Sequence, residues 1–281
     1  MPAKIRVTAI QRLCVNDGPG VRTVVFLKGC YLECPWCCNP EAIHYDADEY
    51  FDKGTCKYPV ENAICRNCEL YGGKSLKTHC PFNSFEKTYE DYEVDELYDL
   101  LMRDEQLFRE NGGVTFSGGE PLLQSMAIFP LLQKLKKAQI HISFETTLYA
   151  PHSNYDAVKD LVDFWIVDLK FQYGYILNKD YSLGQEPFES NLRDLHNRGA
   201  KVIHRMVVMT EILDKKDDIM DRLIKYNIDQ IELLPCHALA EYKYKELHKQ
   251  FHRFLTPAED DIKNFSDFMK KSGIIAISLS L

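Results

Sequence analysis

Six apolar, strand-like runs alternate along the chain with amphipathic stretches, and this rhythm restricts the fold more than any other feature. The runs cover residues 21–27, 114–116, 141–145, 164–168, 201–209 and 229–234. Helical periodicity predicts helices over 94–108, 155–162, 186–197, 216–226 and 256–271. In the first of these, Val94, Leu97, Leu101 and Phe108 share one stripe. The last opens on Thr256, Pro257 and Glu259, a capping-box pattern, and closes at Gly273, a left-handed cap. Strands alternating with helices imply a parallel sheet with right-handed crossovers, hence an α/β fold. Six such units fit a partial (β/α)6 barrel of the TIM type, whose sites sit at the C-terminal ends of the strands.

The unusual residues fall at those ends. Cys30 follows the first run, Ser117-Gly118-Gly119-Glu120 the second and Glu145-Thr146 the third. Asp168-Leu169-Lys170 follows the fourth and Cys236-His237 the sixth, while Arg205 lies within the fifth. Residues 42–92 break the rhythm, being rich in tyrosine and charge and carrying four cysteines. They read as an insert, leaving 1–41 and 93–281 for the barrel.

Eight of the ten cysteines lie between residues 30 and 80. The N-terminus lacks the apolar core of a secretory signal, and no apolar run is long enough to cross a membrane, so a cytoplasmic protein is expected. Cytosolic thiols are kept reduced, which directs the cysteines toward metal or cluster ligation. Cys14 and Cys236 stand apart and read as small buried apolar residues. The net charge of −8 argues against a nucleic-acid partner, which would call for a basic patch.

Cys30, Cys34 and Cys37 are spaced C-x3-C-x2-C. Three thiolates from one short loop can hold three irons of a cubane and leave the fourth open. A structural zinc site needs four ligands, so the zinc alternative requires a distant fourth residue. Cys38 is a poor candidate, because neighbouring side chains on a tight loop diverge. The insert supplies Cys56, Cys65, Cys68 and Cys80, a full set for one auxiliary [4Fe–4S] cluster or equally for zinc.

The C-x3-C-x2-C loop with Trp36 before its third cysteine resembles the radical S-adenosylmethionine (SAM) superfamily. The stretches DGPGVRTVVFLKGC (17–30), PWCCNPE (35–41), GVTFSGGEPLLQ (113–124) and IELLPCHALAEYKYKEL (231–247) resemble the glycyl-radical-enzyme activating enzymes, of the pyruvate formate-lyase activase type. The resemblance implies an anaerobic oxidoreductase. Its SAM-binding [4Fe–4S] cluster, on Cys30, Cys34 and Cys37, would cleave SAM to a 5′-deoxyadenosyl radical. It implies a glycyl radical enzyme as protein substrate, a flavodoxin or ferredoxin as electron donor, and a monomer.

Residue by residue, it places Ser117, Gly118, Gly119 and Glu120 at the methionine ammonium and Lys170 at the methionine carboxylate. Asp168 would help hold a monovalent cation beside Glu145-Thr146. Arg205 would contact SAM, His237 would lie by the adenosine, and Cys38 would offer backbone to the adenine region beside Trp36. Asp17 would position the substrate peptide. Three departures stand out: Glu145 where relatives often have Asp, Thr210-Glu211 for Pro-Gly, and Cys236 for Tyr. Two other readings stay open, a radical SAM enzyme acting on a small molecule or peptide, and a non-catalytic zinc-stabilised binding module.

Overall fold

The computed structural model describes residues 4–46, 49–52, 54–56, 80, 82–171 and 186–279. Two strands open the chain, β1 (Ile5–Cys14) and β2 (Arg22–Leu27). Within the insert, β3 (Glu49–Phe51) pairs with β4 (Phe85–Lys87) in a separate two-stranded sheet. β5 (Glu90–Tyr92) instead pairs antiparallel with β1 and so belongs to the main sheet. Then come α1 (Val94–Met102), β6 (Gly113–Gly118), α2 (Ser125–Lys137), β7 (His141–Thr146), α3 (His152–Val158) and β8 (Phe164–Asp168). The C-terminal part holds α4 (Glu186–Asn197), β9 (Val202–Val208), α5 (Lys216–Lys225), β10 (Gln230–Pro235), α6 (Glu241–Glu246), α7 (Glu259–Lys271) and β11 (Ile275–Ser278).

The main sheet runs β11-β10-β9-β8-β7-β6-β2-β1-β5 and is parallel from β2 to β11. All six expected runs are strands, and β11 adds a seventh parallel one. Among the described residues the sheet does not close on itself. No helix among them is long and apolar enough to cross a membrane.

Alternation along each strand separates two faces. Val25, Phe116, Phe144, Trp165, Val167, Met206 and Leu233 enter the core. Leu132 and Leu135 of α2, Leu192 and Leu195 of α4, and Phe265 and Met269 of α7 belong to that same core. The opposite, concave face carries Ser117, Glu145, Asp168, Arg205 and Glu232, brought into register by strand pairing such as Asp168↔Arg205 and Arg205↔Glu232. A polar inner face on an otherwise buried parallel sheet marks the barrel interior as the place for chemistry.

Three local expectations need correction. The stripe expected over 94–108 is helical only to Met102, followed by a 3-10 turn at Glu105–Phe108. Between them Asp104 accepts from Arg12 Nε (2.7 Å) and Thr23 Oγ1 (2.9 Å), tying this break to β1 and β2. α7 starts at Glu259 with Ala258 as N-cap, because the Thr256 hydroxyl donates to the Cys236 carbonyl (2.9 Å) rather than capping. Cys14 is only partly buried, whereas Cys236 is buried as expected. Gly273 does adopt the left-handed conformation, at φ +84°.

Candidate active site

The loop after β2 is anchored by backbone. Gly29 N donates to Ala42 O (2.7 Å) and Cys30 N to Ile43 O (2.8 Å), while Cys37 N donates to Cys34 O (3.0 Å). Leu32 N and Asn39 N donate to Cys30 Sγ and Cys37 Sγ, each at 3.4 Å. Cys30, Cys34 and Cys37 open onto one cleft of about 200 Å³, shared with Trp36, Cys38, Ser117, Gly118, Gly119, Glu145, Asp168 and Lys170. Burial pushes the Cys34 and Cys37 thiols up to about 12 and Cys30 well above its ordinary value. Metal ligation is what converts such thiols to thiolates. The donor set fits a cubane: three sulfurs, and a cleft where a fourth protein ligand would otherwise stand. Among the described residues no three His, Cys, Asp or Glu converge as a single metal ion requires. Three thiolates on separate irons need no such convergence.

The glycines of the second strand end answer to packing. A Cβ on Gly119 would lie 2.1 Å from Gly29 O and 2.7 Å from Ala42 O, and one on Gly118 would lie 2.4 Å from Leu27 N. Gly119 N and Glu120 N donate to Leu27 O (2.8 Å) and Gly29 O (2.7 Å). The GG pair thus lets β6 dock against the base of the cysteine loop.

Glu120 was expected at a ligand ammonium, but the structure places it behind the cleft wall, fully buried. Its carboxylate accepts from Thr146 Oγ1 (2.5 Å), Thr147 N (2.8 Å), Thr147 Oγ1 (2.7 Å) and Leu122 N (3.2 Å). It braces the turn after β7.

Lys170 Nζ pairs with Asp168 Oδ2 and lies 5.9 Å from the Trp36 ring centroid. Burial would lower the Lys170 ammonium, but Asp168 and Cys34 outweigh it and hold it above its usual range. Burial raises the Asp168 carboxyl, against the pull of Lys170. Asp168 Oδ1 is buried without a hydrogen-bond partner among the described residues, so the cleft keeps one open acceptor.

Arg205 was expected to contact SAM, yet its guanidinium is already engaged. It donates to Glu145 Oε1 (2.9 Å), to Glu232 Oε2 (2.9 and 3.1 Å) and to the Asn16 carbonyl (2.8 Å). Ser117 Oγ donates to the other Glu145 oxygen (2.6 Å). The longer glutamate at this position thus reaches an internal cation. Asp17 lies beside this network; burial and Glu145 raise its carboxyl to about 6, against Arg205 and Arg22. Arg22 itself is fully buried and donates to Val114 O (2.6 Å), Ser143 Oγ (2.9 Å) and Thr115 Oγ1 (3.0 Å). It braces strands β6 and β7 and is closed to a ligand.

His237 lines a smaller adjoining recess with Trp36 and Cys37, its Nε2 3.7 Å from Cys38 Sγ. In the insert, Cys65 and Cys68 lie outside the described residues. At Cys80 burial would raise the thiol, but the amides of Ser84, Phe82 and Asn83 and the Ser84 hydroxyl hold it below its ordinary value. Cys56 is partly buried. Sequence reasoning gave no role to Lys243, Tyr244 or Lys249, which donate to Cys38 O (3.2 Å), Cys37 O (3.0 Å) and Pro40 O (3.2 Å). Lys243 and Tyr244 fall within the stretch 231–247 that carries the resemblance, and Lys249 lies just beyond it, but nothing in that stretch signals these contacts.

A protein-family profile described as a 4Fe-4S single cluster domain matches residues 16–180. The 4-hydroxyphenylacetate decarboxylase activating enzyme of Clostridioides difficile (strain 630) is 30% identical over 271 residues, covering 86% of this chain and 85% of the relative. The pyruvate formate-lyase 2-activating enzyme of Escherichia coli (strain K12) is 33% identical over 277 residues, covering 96% and 90%. The chain belongs to the radical SAM glycyl-radical-enzyme activating enzymes. The solved structure of native anSMEcpe with bound AdoMet shares the fold of this activating enzyme at TM-score 0.55 and 14% identity, covering 89% of this chain and 61% of that one.

Proposed function

We propose that the chain binds SAM at a [4Fe–4S] cluster on Cys30, Cys34 and Cys37 and installs a glycyl radical on a partner glycyl radical enzyme. The carrying observation is the set of three half-buried thiols opening onto the cleft that holds Lys170 and the open Asp168 acceptor. A [4Fe–4S] cluster held by Cys30, Cys34 and Cys37 would, when reduced, supply the electron for reductive cleavage of SAM at its C5′–S bond. The protein's part is placement. The Lys170 ammonium faces the methionine carboxylate. Asp168 Oδ1 and the backbone of Gly118 and Gly119 accept from the methionine ammonium. Trp36, Cys38 and His237 border the adenosine side. Cys56, Cys65, Cys68 and Cys80 hold an auxiliary centre, read as a second [4Fe–4S] cluster with zinc as the alternative. Free thiols and a reduced cluster suit a cytoplasmic compartment, with flavodoxin or ferredoxin as donor.

Asp17 positions the substrate peptide in this reading. Anaerobically reconstituted Asp17→Ala protein should still cleave SAM when reduced alone, but should raise no glycyl-radical signal by electron paramagnetic resonance (EPR) on a cognate glycyl radical enzyme. Equal loss of both activities would refute the peptide role. A parent protein that takes up no iron would end the enzyme reading.

Arg205 takes the place of the monovalent cation. Its guanidinium and the Ser117 hydroxyl occupy both Glu145 oxygens. SAM cleavage should therefore differ by less than about twofold between potassium and choline buffers at equal ionic strength, a free-energy difference below about 0.4 kcal/mol. A steep potassium requirement would refute this.

A further inference from the structure

Resting on the cluster reading above, we propose that Lys243, with Tyr244 and Lys249, is a positioning clamp that fixes the exit of the cysteine loop and thereby the third cluster ligand. The entry of the loop is held by main chain, through Gly29 and Cys30. Its exit, residues 37–41, is gripped in addition by side chains from one short segment. Lys243 Nζ reaches Cys38 O (3.2 Å), Asn39 Oδ1 (3.2 Å) and Glu41 Oε1 (2.6 Å). Tyr244 OH donates to Cys37 O at 3.0 Å, and Lys249 Nζ donates to Pro40 O at 3.2 Å. Five successive residues of the loop are therefore tied by three donors.

The central pair is well shielded, with the Lys243 side chain 20% exposed and that of Glu41 8%. Glu41 is pinned a second time, its carbonyl accepting from buried Lys28 Nζ (2.6 Å). A shielded charge pair with several hydrogen bonds fixes geometry, and losing one partner strands the other charge. The same segment also touches the insert, where the His248 ring packs 5.1 Å from that of Phe51. The clamp thus sits between the two cysteine-bearing parts of the chain.

Outer-shell partners of metal ligands typically contribute about 10–100-fold in affinity or activity. The test compares parent, Lys243→Met, Lys243→Arg and Tyr244→Phe proteins, each reconstituted anaerobically. Release of iron to a chelator should be about tenfold faster in Lys243→Met. That variant should also lose the change that SAM produces in the EPR signal of the reduced cluster. Lys243→Arg should restore both, and Tyr244→Phe should show an intermediate release rate. Should Lys243→Met fail to fold, Tyr244→Phe, which removes a single hydroxyl, decides on the same two readouts. Parent-like iron release together with a parent-like SAM response in the folded variants overturns the clamp. A parent that binds no iron overturns the cluster reading and the clamp with it.

Discussion

A Cys34→Ser protein, reconstituted anaerobically, should lose the SAM-binding cluster and cleave SAM only at background level. The effect should be large because the loop has no spare ligand. Cys38, the one further sulfur in the loop, is exposed and points toward His237 Nε2, 3.7 Å away. A serine hydroxyl is a much poorer ligand for iron than a thiolate, which soft metal clusters prefer. Iron content separates the two cysteine sets. With a four-iron cluster in each, the parent should hold about eight irons and Cys34→Ser about four. Cys38→Ser should keep nearly the full parent content. If Cys34→Ser retained its iron and its SAM cleavage, the three-thiol site would be the wrong assignment. A parent with about four irons plus zinc would assign the insert to zinc and leave the first site standing.

Gly119→Ala should damage folding and cluster binding together. The new Cβ would sit 2.1 Å from the Gly29 carbonyl oxygen and 2.7 Å from that of Ala42, both main-chain atoms that cannot swing aside as a side-chain tip can. Relief must come from moving β6 away from the cysteine loop. Overpacking of this kind costs about 1–3 kcal/mol, and the backbone obstacle argues for the upper end. At about 2–4 °C per kcal/mol, the melting temperature should drop by ~6–12 °C. Gly273→Ala is the contrast: nothing lies within 4 Å of its added Cβ, and only the left-handed backbone at φ +84° resists. That costs about 1–2 kcal/mol and leaves the cluster loop untouched. Scanning calorimetry and iron content measured on both variants check the pair. A Gly119→Ala protein that melts with the parent and binds its full iron would refute the docking role of the glycine.

The parallel strands were legible because their apolar runs are long and bounded by helical periodicity. The reactive residues were legible because they cluster where those runs stop. Several features escaped for identifiable reasons. β1 carries Gln11 and Arg12 in its exposed half, so alternation fades before its end. α2 encloses Pro130, which usually argues against a helix interior. β11 is four residues long and packs through Ala276 between exposed isoleucines.

At the site, sequence position gave the strand end but not the direction or prior commitments of a side chain. Glu120 follows the glycine pair yet turns away into a cage of threonine donors. Arg205 lies on the inner face, but Glu232 on the neighbouring strand β10 and Glu145 on β7, two strands away, claim it. The clamp was hidden because Lys243 and Cys38 lie 205 positions apart, and no local pattern reports such a contact.

Among the described residues the sheet leaves β11 as a free edge. The register Gln230↔Ile275 and Glu232↔Ile277 places two isoleucines, 57% and 42% exposed, on the concave face at the free flank. The cysteine cleft lies at the C-terminal strand ends, and among the described residues the inner surface is also open along the β11 flank. In the proposed reading, SAM and the substrate peptide would then have separate approaches to the cysteine cleft.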